Sequence, residues 1–273
     1  MNLLFAIDDN VTTQLLTCLY SIKMNTPNEH FSVYVIQKDK LKATDEIIEF
    51  CQKMDIDYHA VLVDPKIFED APTTDRYPET IYYRLLAHEY LPEDVHRILY
   101  MDVDILIINS LVDLYNLDIG DSLYAAASHA AFENDVTDAM NKIRLGNYEA
   151  ESYYNSGVLL MNLDSIRKAV KATDIFDYIK KNKLNLFLPD QDVLNGLYGH
   201  YITKIPDEIY NYDARMSSLY TALGKGKWNL DWVIENTVVL HFCGRDKPWK
   251  DDYNSRYAGL YKHYAHRAAL LMK

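Results

Sequence analysis

Asp102-Val103-Asp104 is where residue type and spacing point most directly to chemistry. It follows Arg97-Ile98-Leu99-Tyr100-Met101 and precedes Ile105-Leu106-Ile107-Ile108, apolar runs on both sides. In extended backbone, residues two apart project the same way, about 6.6 Å apart along the strand. Both carboxylates can then converge on one hard cation, with oxygen ligands at roughly 2.0–2.2 Å, while Val103 turns into the sheet. A solvated strand end is the plain alternative in an acidic chain; against it, apolar flanks make an unneutralised carboxylate pair costly. His241 strengthens the first reading. It ends Thr237-Val238-Val239-Leu240 and leads into Phe242-Cys243-Gly244-Arg245-Asp246-Lys247-Pro248-Trp249. Gly244 lets backbone approach a phosphate, and Arg245 and Lys247 supply positive charge. Two aspartates and a histidine suit Mn²⁺ or Mg²⁺ with positions open to substrate oxygens, rather than a closed structural site.

The elements that must position these residues follow from local pattern. Asn2–Ile7 reads as a buried strand stopped by Asp8-Asp9-Asn10, and Leu15, Leu16, Leu19 and Ile22 recur at helical spacing until Pro27. Phe31–Ile36 and Tyr58–Val63 are strands, with a helix capped by Thr44 running to Met54 between them. This β-α-β-α-β order opens a parallel α/β sheet. A helix is expected around Thr80–Tyr90, then a strand Arg97–Met101 that Ile105–Ile108 continues. Ser122–Ala127, Ser156–Asn162 and Thr237–Phe242 read as strands, and Ile166–Lys181 and a segment starting at Asp190 as helices. Asp102 thus ends a parallel strand, the edge at which open α/β sheets bind ligands. The organisation expected is one domain over residues 1–249 with a helical extension over 250–273. Tyr253, Tyr257, Tyr261 and Tyr264 form a helically spaced stripe in that extension, read as packing on the domain in preference to a membrane-surface helix.

Composition bounds the rest. The 273 residues are 49% hydrophobic and 25% charged, which excludes disorder. The net charge of −12 makes general nucleic-acid binding a poor reading. An anionic substrate would have to be met by a metal or by local positive charge. From His241 onward seven Lys/Arg stand against three Asp, a net +4 that leaves −16 on the remainder. Cys18, Cys51 and Cys243 show neither zinc spacing nor a disulfide framework, which suggests a reducing compartment. The apolar start is cut too early by Asp8 and Asp9 for a signal-peptide core, and no run approaches the roughly 18 apolar residues of a membrane span. A cytoplasmic protein is expected, with at most weak peripheral contact at the inner face of the membrane; the oligomeric state is not legible.

Five segments taken together are recognisable. They are Phe5-Ala6-Ile7-Asp8-Asp9-Asn10; Tyr83-Arg84-Leu85; Leu99 through Asp104; Tyr154-Asn155-Ser156-Gly157 through Asn162 with Asp190-Gln191-Asp192-Val193-Leu194-Asn195; and His241-Phe242-Cys243-Gly244 with Lys247-Pro248-Trp249. In this order they resemble glycosyltransferase family 8, retaining enzymes of GT-A fold, and in particular bacterial lipooligosaccharide α-galactosyl- and α-glucosyltransferases. The resemblance implies a Rossmann-like, mixed but mainly parallel sheet flanked by helices. It implies transfer of galactose or glucose from a UDP-sugar to a glycan or glycolipid hydroxyl. Asp102, Asp104 and His241 would hold the metal on the UDP diphosphate. Ala6, Asp8 and Asn10 would contact uridine, Gly244 and Lys247 the phosphates, and Val103 would belong to the same donor-binding set. Arg84, Asn155, Asp190 and Gln191 would surround the sugar, and Gln191, Asp190 and Arg84 would carry catalysis.

Retention by double displacement calls for a nucleophile beneath the anomeric carbon. Gln191 is a poor one and Asp190 an alternative; same-face substitution through a short-lived ion pair is equally open. Val11 stands where many relatives have an aromatic residue against uracil. His129, in Ser128-His129-Ala130-Ala131-Phe132, stands where the galactosyltransferase branch is often acidic; it is either a plain loop histidine or an acceptor-facing one. Two other functions compete: an inactive UDP-sugar-binding module, which would bind donor without turnover, and a metal-dependent phosphodiesterase, which would need no acceptor.

Overall fold

The computed structural model describes residues 1–64, 66, 82–129, 140, 141, 144–147, 149–182 and 185–273, and of residues 79–81 the backbone alone. Its strands are β1 (Asn2–Ala6), β2 (Phe31–Gln37), β3 (Ile56–Leu62), β4 (Arg97–Met101), β5 (Ile105–Ile107), β6 (Tyr124–Ala127), β7 (Val158–Asn162), β8 (Ile202–Ile205), β9 (Tyr212–Asp213) and β10 (Val239–His241). Seven form one sheet in the order β3-β2-β1-β4-β7-β6-β8. The pairs β1–β2, β2–β3, β1–β4 and β6–β8 are parallel, and β7 is antiparallel to both β4 and β6. Only β7 therefore runs against the rest. The expected mixed, mainly parallel α/β architecture is what the chain adopts.

Two features of this topology make the site. The chain winds outward from β1 to β3, then crosses back to lay β4 on the other side of β1, so β1 and β4 flank a switch point. Because β7 is reversed, its beginning, not its end, lies beside the end of β4. Val158 pairs with Met101, and the Asp102 N–H donates to the Gly157 carbonyl at 2.8 Å. Asn155-Ser156-Gly157 is thereby brought to the aspartates.

Ile105–Ile107 does form a strand, but it does not prolong β4 in its own sheet. Asp102-Val103-Asp104 carries the chain into a second, three-stranded sheet ordered β5-β10-β9. There Ile105 pairs with His241, and His241 with Asp213. The apolar residues on either side of the aspartates are satisfied by two different sheets, and the pair sits at their junction.

Other expectations shift for local reasons. The helix expected over Ile166–Lys181 is two helices, Leu163–Ala169 and Ala172–Asn182, because Val170 turns extended (φ −96°, ψ 126°) and buries its side chain. The segment around Thr80–Tyr90 is 3₁₀ turns over Glu79–Glu89, kinked at Leu86, with Tyr82, Tyr83, Leu85, Leu86 and Ala87 all buried. Thr44 does not cap the Thr44–Lys53 helix; its hydroxyl donates back to the Leu41 carbonyl at 2.6 Å. The helix Thr12–Asn25 buries Leu15, Leu16, Leu19 and Ile22 as their spacing predicts.

Of the expected helical extension only Ala258–Leu271 is helix: Tyr253 lies before it and Tyr257 at its N-cap, with Tyr257 and Tyr261 buried and Tyr253 and Tyr264 partly so. Tyr261 packs edge-on against Phe242 at 5.4 Å between ring centroids, Tyr257 lies against Tyr212 at 5.8 Å, and Tyr264 accepts from Asn25 Nδ2 at 2.8 Å. This helix therefore backs the small sheet that carries His241. The three cysteines are buried and unpaired, and among the described residues no helix is long and apolar enough to cross a membrane.

Candidate active site

At the switch-point edge lies a cleft of about 590 Å³ whose walls include Arg84, Asp102, Asp104, Asn155, Gln191 and His241. Asp190, Gly244 and Lys247 line it as well, together with Leu188, Cys243 and Arg215. One ligand atom from each of Asp102, Asp104 and His241 lies within 4.8 Å of the others. Three such donors so close together could share one small divalent cation.

Each member of this trio is held from behind. Asp102 Oδ1 accepts from the Tyr100 hydroxyl at 2.6 Å and lies 3.0 Å from Arg84 Nη1. His241 Nδ1 is 2.8 Å from Asn211 Oδ1. Asn211 Nδ2 donates to Asn155 Oδ1 at 2.9 Å, so the Asn211 oxygen must accept and the proton on Nδ1 is fixed. That leaves Nε2 facing Asp104 Oδ1 at 3.2 Å. The Asp104 carboxylate also receives the Lys247 ammonium, which donates in addition to the Phe242 carbonyl at 2.9 Å.

Burial disfavours a charge on His241, yet Cys243 and Asp104 beside it outweigh burial and hold the imidazole pKa well above its ordinary value. Burial likewise opposes the Asp104 charge, but His241 and Lys247 hold that carboxyl well below the usual carboxylate range. Each of these two groups thus favours the charged form of the other. Hard oxygen donors with one imidazole, its far nitrogen anchored, fit Mn²⁺ or Mg²⁺.

Gly157 completes the cradle. A Cβ there would stand 2.5 Å from His241 Cε1 and 2.8 Å from Asp102 Oδ2, so only glycine lets β7 begin against the trio. Gly244 adopts φ +84°, a conformation side chains rarely take, and a Cβ would also strike the Arg215 guanidinium.

The opposite wall is organised by Arg84, 7% exposed and stacked over the Tyr100 ring at 4.4 Å. It donates to the Ser156 carbonyl at 2.9 Å and approaches Asp190 Oδ2 at 3.5 Å, while Ser156 Oγ donates to the same oxygen at 2.9 Å. Burial raises the Asp190 pKa, with Asp102 adding to the effect and Arg84 opposing it. Gln191 Oε1 accepts from Asn155 Nδ2 and from the Ser156 N–H, both at 3.2 Å. His129 is not a detached loop residue: it lines the cleft, and its Nε2–H donates to the Asn211 carbonyl at 2.8 Å. Residues 130–132, which follow it, lie outside the described residues.

The remaining predicted site residues, Ala6, Asp8, Asn10 and Val103, are not part of this lining. Asp8 and Asn10 are exposed in the turn after β1, where Asp8 Oδ1 accepts the Asn10 N–H at 2.9 Å. Ala6 ends β1, and Val103 packs against the core. Sequence reasoning missed Asn211, Tyr100 and Arg215. A buried asparagine between two tyrosines carries no local signal; only the pairing of β9 with β10 gives it a task.

A switch-point cleft at the joint of a large and a small sheet, with two aspartates and a histidine gathered for a cation, defines a GT-A-type glycosyltransferase. The chain belongs to glycosyl transferase family 8, whose sequence profile matches residues 2–253. It is 28% identical over 264 residues to a lipopolysaccharide 1,2-glucosyltransferase of Escherichia coli, covering 92% of this chain and 73% of that one. General stress protein A of Bacillus subtilis is 27% identical, with 97% and 92% covered. The crystal structure of galactosyltransferase LgtC in complex with donor and acceptor sugar analogues superposes with a TM-score of 0.81 at 25% identity, over 98% of this chain and 96% of that one.

Proposed function

We propose that this glycosyltransferase moves a hexose, galactose or glucose, from a UDP-sugar to the hydroxyl of a glycan or glycolipid with retention of configuration. Asp102, Asp104 and His241 would hold Mn²⁺ or Mg²⁺, which when bound would stabilise the charge of the diphosphate leaving group. The convergence of those three side chains around one point, each braced from behind, is the observation that carries the reading.

The chain's own residues supply the rest. Gly244 gives the diphosphate backbone access, and Lys247 sits where charge grows as the glycosidic bond breaks. Ala6, Asp8, Asn10 and Val103 form the uridine end beside β1. Arg84, Asn155, Asp190 and Gln191 enclose the sugar. Both acceptor directions on Gln191 Oε1 are taken by donors, and Asp190 is bound by Ser156 and faced by Arg84. This favours same-face substitution through a short-lived ion pair over attack by either side chain. The relatives that act on lipopolysaccharide favour a lipid-linked glycan acceptor at the cytoplasmic face of a membrane.

The test is UDP release from a panel of UDP-hexoses with Mn²⁺, with and without chelator, alongside Asp104→Ala. Metal-dependent release that the variant lacks supports the proposal. Tight donor binding with no turnover under any acceptor would instead make this a sugar-nucleotide-binding module.

A further inference from the structure

We propose that Arg215 binds the diphosphate of the donor and stabilises it as it leaves, a role built on the donor reading above. Arg215 stands in the turn Ala214–Met216, directly after β9, whose Asp213 pairs in register with His241. It is therefore tied to the same small sheet that delivers His241 to the cleft.

Its orientation is imposed. Asp213 is 3% exposed in its side chain and accepts from the Arg215 N–H at 3.0 Å, from Nε at 3.0 Å and from Nη2 at 2.6 Å. Burying a carboxylate to grip a guanidinium that itself stays 45% exposed makes little sense as a stability device. It does fix the outer edge of the guanidinium. Among the described residues Nη1 has no hydrogen-bond partner, and it lies against Gly244, where a Cβ would stand 2.4 Å away.

Of the other two cationic side chains of the wall, Arg84 is committed to Asp102, Asp190 and the Ser156 carbonyl, while Lys247 gives two of its three N–H donors to Asp104 and the Phe242 carbonyl. Arg215 thus offers directed N–H donors beside the loop that the donor phosphates would follow. A planar fork held by a carboxylate on one edge and open on the other suits a phosphate oxygen.

In the transfer, the anomeric C–O bond breaks and its electron pair passes to the β-phosphate oxygen. The acceptor oxygen bonds to the anomeric carbon, and its proton leaves with the diphosphate. Arg215 would donate to the oxygens that gain this charge, in a preorganised position.

Calorimetry on the full chain with Mn²⁺, comparing UDP with UMP, separates the possibilities. Arg215→Met is expected to weaken UDP by about tenfold or more and UMP by less than about twofold, since charge-assisted bonds to one phosphate are lost. Arg215→Lys should recover part of the difference. The exposed guanidinium makes both variants compatible with folding, which a melting curve checks. Equal loss for UDP and UMP, or none for either, overturns the proposal. Unchanged UDP affinity with a raised KM for acceptor also overturns it, by assigning Arg215 to the acceptor. Failure of the unsubstituted chain to bind either nucleotide sinks the donor reading itself, and Arg215 with it.

Discussion

His241 and Asn211 are joined by a 2.8 Å hydrogen bond from Nδ1 to Oδ1, and Asn211 passes the chain on to Asn155 and so to Gln191. One fully buried asparagine thereby couples the imidazole of the candidate metal site to the Gln191 carboxamide on the cleft wall. It fixes which ring nitrogen carries the proton, and hence which one is offered to a cation.

Asn211→Ala removes that anchor. Metal affinity should fall about 10- to 100-fold, the usual cost of losing a residue that orients a ligand, whereas Asn211→Asp keeps an acceptor and should retain most of it. Titration of Mn²⁺ by electron paramagnetic resonance in the presence of UDP reads both. Equal affinity in all three proteins would remove Asn211 from the site.

Gly157→Ala should reduce activity at least about 100-fold, because its Cβ must displace His241 or Asp102 from positions 2.5 and 2.8 Å away. Gly259→Ala is the control. Nothing lies within 4 Å of a Cβ there, and the residue is helical, so the change should be neutral or stabilise by up to about 1 kcal/mol. Steady-state rates and thermal melts distinguish the two outcomes.

How much of this was legible follows the physics of each element. β1, β2 and β4 are buried runs cut sharply by polar residues, so their ends, and with them Asp102, could be placed from sequence. The spacing of the aspartates and the position of His241 after an apolar run were likewise local facts. β8 and the two-residue β9 are strands only because β6 and β10 pair with them, and no pattern in Ile202–Ile205 or Tyr212–Asp213 announces that. The passage of Ile105–Ile107 into a second sheet is invisible in an apolar run. The bracing by Asn211, the clearance at Gly157 and the Arg215–Asp213 clamp exist only once distant segments meet.

Asp192 offers a test of how the helix that carries Asp190 and Gln191 is seated. Wholly buried at the start of Pro189–Tyr198, it accepts from Arg144 Nη1 and Nη2, the Tyr153 hydroxyl, and the N–H groups of Phe187 and Leu188. Asp192→Ala should cost about 3 kcal/mol, the low end for breaking a buried pair, since Arg144 retains 17% exposure. Urea unfolding measures it. A loss below about 1 kcal/mol would show that the clamp is dispensable.

His88 gives the fold a pH dependence. Burial lowers its pKa, with Arg167 assisting and Glu89 and the Val170 backbone opposing. The unfolded chain therefore takes up a proton near pH 6.5 that the native state resists. Unfolding binds protons in that window, so stability rises with pH across it and is lost as pH falls below about 6.5. The melting temperature of the wild type should fall relative to that of His88→Phe as pH drops through this window. A constant difference from pH 5 to 8 would contradict it.

The central claim is most directly tested by crystals grown with MnCl₂ and UDP, using anomalous diffraction at the manganese edge. A single peak bonded to carboxylate oxygens of Asp102 and Asp104, to His241 Nε2 and to diphosphate oxygens is the predicted result. A peak elsewhere, or UDP bound with these three side chains apart, would contradict the account.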